Sequence, residues 1–410
     1  MVKNFQKLVK KKFILLSLLF FIIFSLIGRF MYPVGDEPDF KNRSNKIIYQ
    51  IDNYNDTITK FTNPYLPFRW LVEKLSYENN GQNCKIISGE LNFFSKIDYK
   101  TCSDNIKNIL IRFGIQFSFF FPILLFISIK KNFFFLKKFG LSCSLQEWEL
   151  RVKIFFLTIL FPTVIFHLGF LSTESLSLLL SLVAFLFWGS TFLLSFCLLS
   201  IFFIDIGTFI LIIFYFLFIR TSLLFSKFFF GYIFFFLLFF IFIIFFRNEI
   251  FLNIIFHIPF FGTIAQHVFQ TENELKFLEK YHLSLRPIIT YLSLIFLTPI
   301  AKVKIIPAYL LFSFFMIKYF VKVYKKINFR QFNYYSKNKI YKNFFIFISS
   351  IFFVLTLVYL MPSYALVKYY IFLIPFALYS FISFFSKKEL FLYLVLLNIL
   401  IFINLFLYYL

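Results

Sequence analysis

Apolar residues in this chain come in runs too long and too unbroken for a soluble core, divided by short polar breaks. Residues 13–34 are apolar apart from Arg29 and follow a basic lead over 3–12. That run is long enough to cross a bilayer, and no small-x-small cleavage site follows it. It reads as a retained signal-anchor helix with its lysines in the cytoplasm. A second span is predicted over 109–129. From 152 to 246 the chain is almost continuously apolar, with breaks at Pro162, 167–175, Trp188-Gly189-Ser190, 205–207 and 220–227. Helices are predicted there near 152–171, 174–189, 191–204, 206–219 and 228–246, several of them short enough to imply broken or tilted spans. The remaining apolar runs lie near 287–301, 305–321, 343–361, 369–385 and 388–409.

The polar stretches set the topology. Residues 35–108 form the longest of them and read as an extracytoplasmic subdomain of short helices and turns, not a linker. Lys130, Lys131, Lys137, Lys138, Arg151 and Lys153 mark the following loop as cytoplasmic. A second polar loop covers 247–286. Residues 318–342 hold eight basic side chains and no acidic one, which again requires the cytoplasm. Simple alternation from the first helix puts that loop outside, so one short segment, 191–204 or 305–321, is not a true span. The expected architecture is an all-α polytopic membrane protein with about 10–11 transmembrane helices and a sizeable first extracytoplasmic loop. Its regions are 1–34, 35–108, 109–246, 247–286 and 287–410.

Composition sharpens this reading. The 410 residues are 60% hydrophobic with a mean hydropathy of +0.82, and 74 of them are Phe. Soluble domains are about 45–50% apolar. The net charge of +23 would suit nucleic acid, but the lysines sit in short stretches between apolar segments, where they meet anionic lipid instead. Of four cysteines, Cys84 and Cys102 share the first outer loop, where an oxidising compartment would permit a disulfide. The length and the lack of organelle signals favour a bacterial inner membrane.

The chemistry concentrates in Val34-Gly35-Asp36-Glu37-Pro38-Asp39-Phe40, directly after the first helix. Acidic residues are scarce in this chain, 19 in all, and the outer end of a first span has no structural need for three of them. Clustered carboxylates there suit a general base, or oxygen ligands for a divalent cation such as Mg or Mn. A second stretch runs from His167 through Ser172-Thr173-Glu174-Ser175-Leu176 into a Leu-rich helix. Ser-Thr-Glu ahead of an apolar run is a helix N-cap with an acidic first turn. That does not account for Glu174 and His167 together beside hydrocarbon, where ionisable groups are costly and usually functional. Ile219-Arg220-Thr221-Ser222 closes another apolar helix, and Lys368-Tyr369-Tyr370 precedes Leu373-Ile374-Pro375-Phe376. No Walker loop, Gly-x-Gly-x-x-Gly, His-Glu-x-x-His or Cys-x-x-Cys occurs, which disfavours use of nucleotides.

An acidic motif in the first outer loop, followed by a Thr-Glu-Ser-Leu element, resembles the GT-C superfamily of membrane glycosyltransferases in its mannosyltransferase-like branch. The resemblance implies a polyprenyl- or dolichyl-phosphate sugar donor, a glycan or glycolipid acceptor, and a first-loop carboxylate acting as base. That role falls to Asp36 or Glu37, with Asp39 as a further carboxylate. His167, Glu174, Arg220 and Tyr369 fall in the family's binding elements. Where the family often carries Arg-Tyr this chain has Lys368-Tyr369, and an ammonium lacks the bidentate grip of Arg. Arg286 is an alternative phosphate clamp. Two rival readings share the composition: an O-antigen or capsule repeat-unit polymerase, which depends on loop arginines, and a transporter or flippase, which calls for internal repeats.

Overall fold

The computed structural model describes residues 2–31, 106–169, 175–204, 206–225, 236–238, 241, 286–293, 306–327, 339–360 and 367–409. The described residues are helical, with no strand among them. The chain divides into two compact units, residues Met1–Ile212 with Leu390–Leu410, and Ile213–Glu389.

Unit 1 begins with α1 (Val2–Met31), α2 (Ile106–Ser128), α3 (Asn132–Lys138), α4 (Leu145–Thr158) and α5 (Pro162–Gly169). It continues through α6 (Ser175–Leu186), α7 (Thr191–Ile204) and the start of α8 (Ile206–Phe225), and regains the chain in the final helix, α13 (Lys387–Tyr409). The basic lead is helical along with the apolar run behind it. The predicted helix over 152–171 is in fact two helices, α4 and α5, bent by 76°. Pro162 causes the break, because it has no N–H to give to the Thr158 carbonyl and its ring clashes with the preceding turn. Asn398 of α13 donates its amide Nδ2 to the Leu160 carbonyl at this break (2.8 Å), so a backbone acceptor freed by the bend is satisfied. α1 and α13 run parallel, with Phe13 and Phe20 against Phe391 (5.6 and 5.8 Å between ring centroids) and Phe24 stacked on Phe402 (5.6 Å).

The turns at the basic end of unit 1 are tied together by polar contacts. Arg151 donates one guanidinium nitrogen to the carbonyls of Leu186 (3.0 Å) and Trp188 (2.5 Å), and another to Glu147 (2.9 Å). It thus caps the C-terminus of α6, whose last carbonyls have no partner within the helix. Ser142 donates to the Gly189 carbonyl (2.7 Å). Ser144 caps the N-terminus of α4, accepting from the Glu147 N–H. Cys143 and Cys197 are free thiols; the predicted pairing of Cys84 with Cys102 lies outside the described residues.

Unit 2 holds the rest of α8, then α9 (Arg286–Ser293), α10 (Ile306–Lys326) and α11 (Lys339–Leu360). A 3-10 helix (Val367–Leu373) runs straight into α12 (Ile374–Phe381). Tyr215 of α8 packs on Phe353 (5.2 Å) and hydrogen-bonds Ser350 (2.8 Å), while Ser222 pairs with Ser349 (3.0 Å). α8 is therefore antiparallel to α11, joined by the small hydroxyl residues that let membrane helices approach closely. α10 is also antiparallel to α11: Tyr319 packs on Phe347 (5.0 Å), whereas Lys326, two turns on, and Asn343, a turn earlier in α11, both reach Ser383. The Tyr319 hydroxyl meets Ser380 of α12 (2.7 Å).

Among the described residues, three helices are long and apolar enough to cross a membrane: α8 over Gly207–Leu224, α10 over Ile306–Lys326 and α11 over Ile340–Tyr359. Counting the bent pairs α2–α3 and α4–α5 as one span each raises this to five. The 305–321 segment, one of the two predicted non-spans, is thus a full-length candidate, whereas 191–204 is a shorter apolar helix of 14 residues.

Candidate functional site

One end of unit 1 gathers the helix termini that lead into the two sequence motifs. α1 packs on α5 through Ser25 and Gly169, so closely that a Cβ on Gly169 would lie 2.7 Å from the Ser25 side chain and 3.2 Å from its Cα. Glycine is required there by close approach of two helices. Gln116 of α2, itself buried, donates its amide Nε2 to the Leu168 carbonyl and so ties a third helix to the end of α5. His167, next to Leu168, is half-buried, its ring edge-on to Phe166 (5.4 Å). The hydroxyls of Ser25 and Thr163 are buried with no hydrogen-bond partner among the described residues.

The acidic motif follows Met31, the last residue of α1, and Glu174 falls between α5 and α6. Asp36, Glu37, Asp39 and Glu174 lie outside the described residues. The helices that carry these motifs are thus joined through Ser25, Gly169 and Gln116. Along α2, Gln116 stands about 20 Å from Lys130 at the other end, at 1.5 Å per residue. Lys130 there pairs with Glu149 (3.2 Å).

Unit 2 also has two chemically distinct ends. At one, Lys322 and Lys326 donate to the carbonyls of Phe384 (3.2 Å) and Ser383 (3.4 Å), just past the C-terminus of α12. The Lys322 ammonium sits over the Phe385 ring at 4.0 Å. Cations at a helix C-terminus meet the negative end of its dipole, and the aromatic face adds a cation–π contribution. Asn343 at the start of α11 donates to the Ser383 hydroxyl (2.8 Å). α13 opens beside them with a reciprocal cap. The Ser386 N–H donates to the Glu389 carboxylate (2.7 Å), and the Glu389 N–H donates to the Ser386 hydroxyl (3.2 Å). The bonds from Ser386 hold the exposed Glu389 carboxyl below its ordinary pKa, with smaller contributions from Lys322 and Lys318.

The remaining predicted residues lie in this unit. The 3-10 helix and α12 deliver Ser383 to the lysines, so Lys368 and Tyr369 begin at the opposite end. Tyr369 is half-buried, and Tyr370 is buried with its hydroxyl unpartnered among the described residues. Arg286, the first residue of α9, is 6% exposed, and its carbonyl accepts from the Thr290 hydroxyl (3.0 Å). Tyr291, a turn later, hydrogen-bonds Ser313 of α10 (3.0 Å). Arg220 is exposed on α8 between Tyr215, which meets Ser350, and Ser222, which meets Ser349, and so lies level with the middle of α11. Sequence reasoning passed over Gln116, Ser25 and Gly169. The signal available was a small residue or an amide inside an apolar helix, which has cause only where helices touch.

Among the described residues no three His, Cys, Asp or Glu side chains gather as a metal site. Compared with protein families, curated proteins and solved structures, the chain matches none.

Proposed function

We propose that the chain is a polytopic membrane glycosyltransferase, with about 10–11 spans, that moves a sugar from a polyprenyl-phosphate donor to an acceptor hydroxyl at the extracytoplasmic face. The observation that carries the reading is the Ser25–Gly169 contact with Gln116 on Leu168, which joins the helix leading to Asp36 with the helix leading to Glu174. Lysines crowd the other ends of the described helices, which fits a cytoplasmic face there and an outer face at His167. α8 and α10 both run antiparallel to α11, so in this reading they enter from the same side.

In this reading Asp36, or Glu37 beside it, takes the proton of the acceptor hydroxyl. The alkoxide oxygen attacks the anomeric carbon, the bond from that carbon to the phosphate oxygen breaks, and the polyprenyl phosphate leaves with the electron pair. Lys368, with Tyr369 beside it, or Arg286 meets the phosphate charge. Arg220 is a further candidate for the same charge. His167 and Glu174 line the acceptor side, and Asp39 supplies a third carboxylate, as a second base or as a ligand should Mg or Mn take part.

The test uses membranes containing the full chain, supplied with labelled polyprenyl-phosphate sugars. Asp36→Asn or Glu37→Gln is expected to lower transfer by at least about 100-fold, the low end of general-base catalysis, with protein level unchanged. Transfer unaffected by both substitutions together refutes the proposal.

A further inference from the structure

The segment between α2 and α4 is not used by glycosyl transfer. α3 leaves the axis of α2 at 85°. If α2 crosses the membrane, α3 lies in the membrane plane at the level of the lysine-bearing end. Its seven residues are held firmly. Phe133 and Leu136 are buried, and Phe133 packs on the buried Trp148 (6.4 Å). Gly140, at φ +84°, closes α3: Leu141 N–H donates to the Leu136 carbonyl (3.3 Å) and Gly140 N–H to that of Lys137 (3.2 Å). Leu141 and Leu136 are both buried, which completes a Schellman end with its apolar contact.

The face turned away from the protein is the informative one. Phe134 is 59% and Phe135 52% exposed, and Phe139 stacks on the exposed Phe192 of α7 (6.0 Å, 19°). Lys130 is held by Glu149, whereas Lys131, Lys137 and Lys138 have no carboxylate within 4 Å among the described residues. Aromatic side chains and a cluster of one charge sign, on an element at right angles to a span, are the make-up of a segment lying in a lipid interface. Lysines of one sign beside it select anionic headgroups over zwitterionic ones.

We propose that residues 130–139 form an anionic-phospholipid site. Phe134 and Phe135 enter the acyl boundary, and Lys131, Lys137 and Lys138 hold the headgroup phosphates. The site rests on the membrane-spanning part of the reading above and not on its chemistry.

The test places a bimane fluorophore on the full chain, with its native cysteines replaced, at Phe134→Cys or at Leu310→Cys, an exposed position of α10. Each is reconstituted with nitroxide-bearing phosphatidylglycerol or phosphatidylcholine. Expected is quenching at position 134 by both lipids, with phosphatidylglycerol half-effective at a mole fraction about 10-fold lower. Lys131→Gln, Lys137→Gln and Lys138→Gln together, and high salt, abolish that preference. Quenching at 310 but not at 134 overturns the site alone, as does a preference that survives the three substitutions. Absence of quenching at 310 overturns the membrane reading on which the site rests.

Discussion

The contact between Ser25 and Gly169 yields the most direct expectation, that Gly169→Ala is destabilising although alanine is the better helix former. Gly169 has no left-handed backbone, so alanine is conformationally allowed and would gain up to about 1 kcal/mol of helix propensity. Against this, its Cβ would stand 2.7 Å from both Cβ and Oγ of Ser25 and 3.2 Å from the Ser25 Cα. The Cβ of a helical serine cannot swing aside, so α1 and α5 must separate. Overpacking of this kind costs about 1–3 kcal/mol; with both carbons backbone-fixed the cost falls in the upper part of that range and leaves a net loss of up to about 2 kcal/mol. Ser25→Gly removes the two closest atoms and leaves the contact at 3.2 Å, so in the double variant the two changes couple favourably although each alone is unfavourable. The assay is unfolding of the purified protein in mixed micelles by increasing SDS, followed by tryptophan fluorescence. Gly169→Ala as stable as the parent, or a double variant whose loss is the simple sum of the single ones, would show that α1 and α5 do not meet here.

Two further expectations concern the turns and caps. Arg151→Ala should cost about 2–4 kcal/mol, because it strips charged donors from two carbonyls at the end of α6 and removes the guanidinium 2.9 Å from Glu147. Arg151→Lys should recover only part of this, since one ammonium cannot reproduce the fork; the same unfolding assay reads both, and full recovery by lysine would contradict the geometry. Ser386→Ala should cost about 1 kcal/mol, and Glu389→Gln about 0.5 kcal/mol. Because the Glu389 pKa is depressed in the folded protein, its charge contributes above the ordinary carboxylate value of 4.5 and the contribution is lost as pH falls through the folded value. The gap between parent and Glu389→Gln should therefore close on acidification; a gap that widens would reverse the sign of the argument.

The helices were legible in the sequence because they coincide with long apolar runs, and the breaks are made by residues with a clear effect. Pro162 and Trp188-Gly189-Ser190 interrupt the structure where the pattern predicted, and 191–204 and 388–409 match helices almost to the residue. The pattern could not give directions or bends. Pro162 marks a break in the run over 152–171, but nothing there gives the 76° turn or shows that Asn398, more than 200 residues away, donates to the Leu160 carbonyl at the bend. α3 was missed because seven residues are too few for a periodicity to register, although Gly140 after two lysines is a readable helix stop. The caps Ser144-Leu-Gln-Glu147 and Ser386-Lys-Lys-Glu389 were also present in the sequence as Ser-x-x-Glu. Of the site, the sequence indicated which residues carry charge. Its helix-to-helix contacts rest on Ser25, Gln116 and Gly169, which have no chemical label of their own.

The parallel pairing of α1 with α13 has a consequence for how the protein is made. α1 is synthesised well before α13, so Phe13, Phe20 and Phe24 lack their eventual neighbours until residues 391–402 have been made. The Leu160 carbonyl waits for the Asn398 amide across 238 residues of synthesis. Completion of the first unit therefore waits on synthesis of α13, and the nascent chain must tolerate an open seam until that helix arrives.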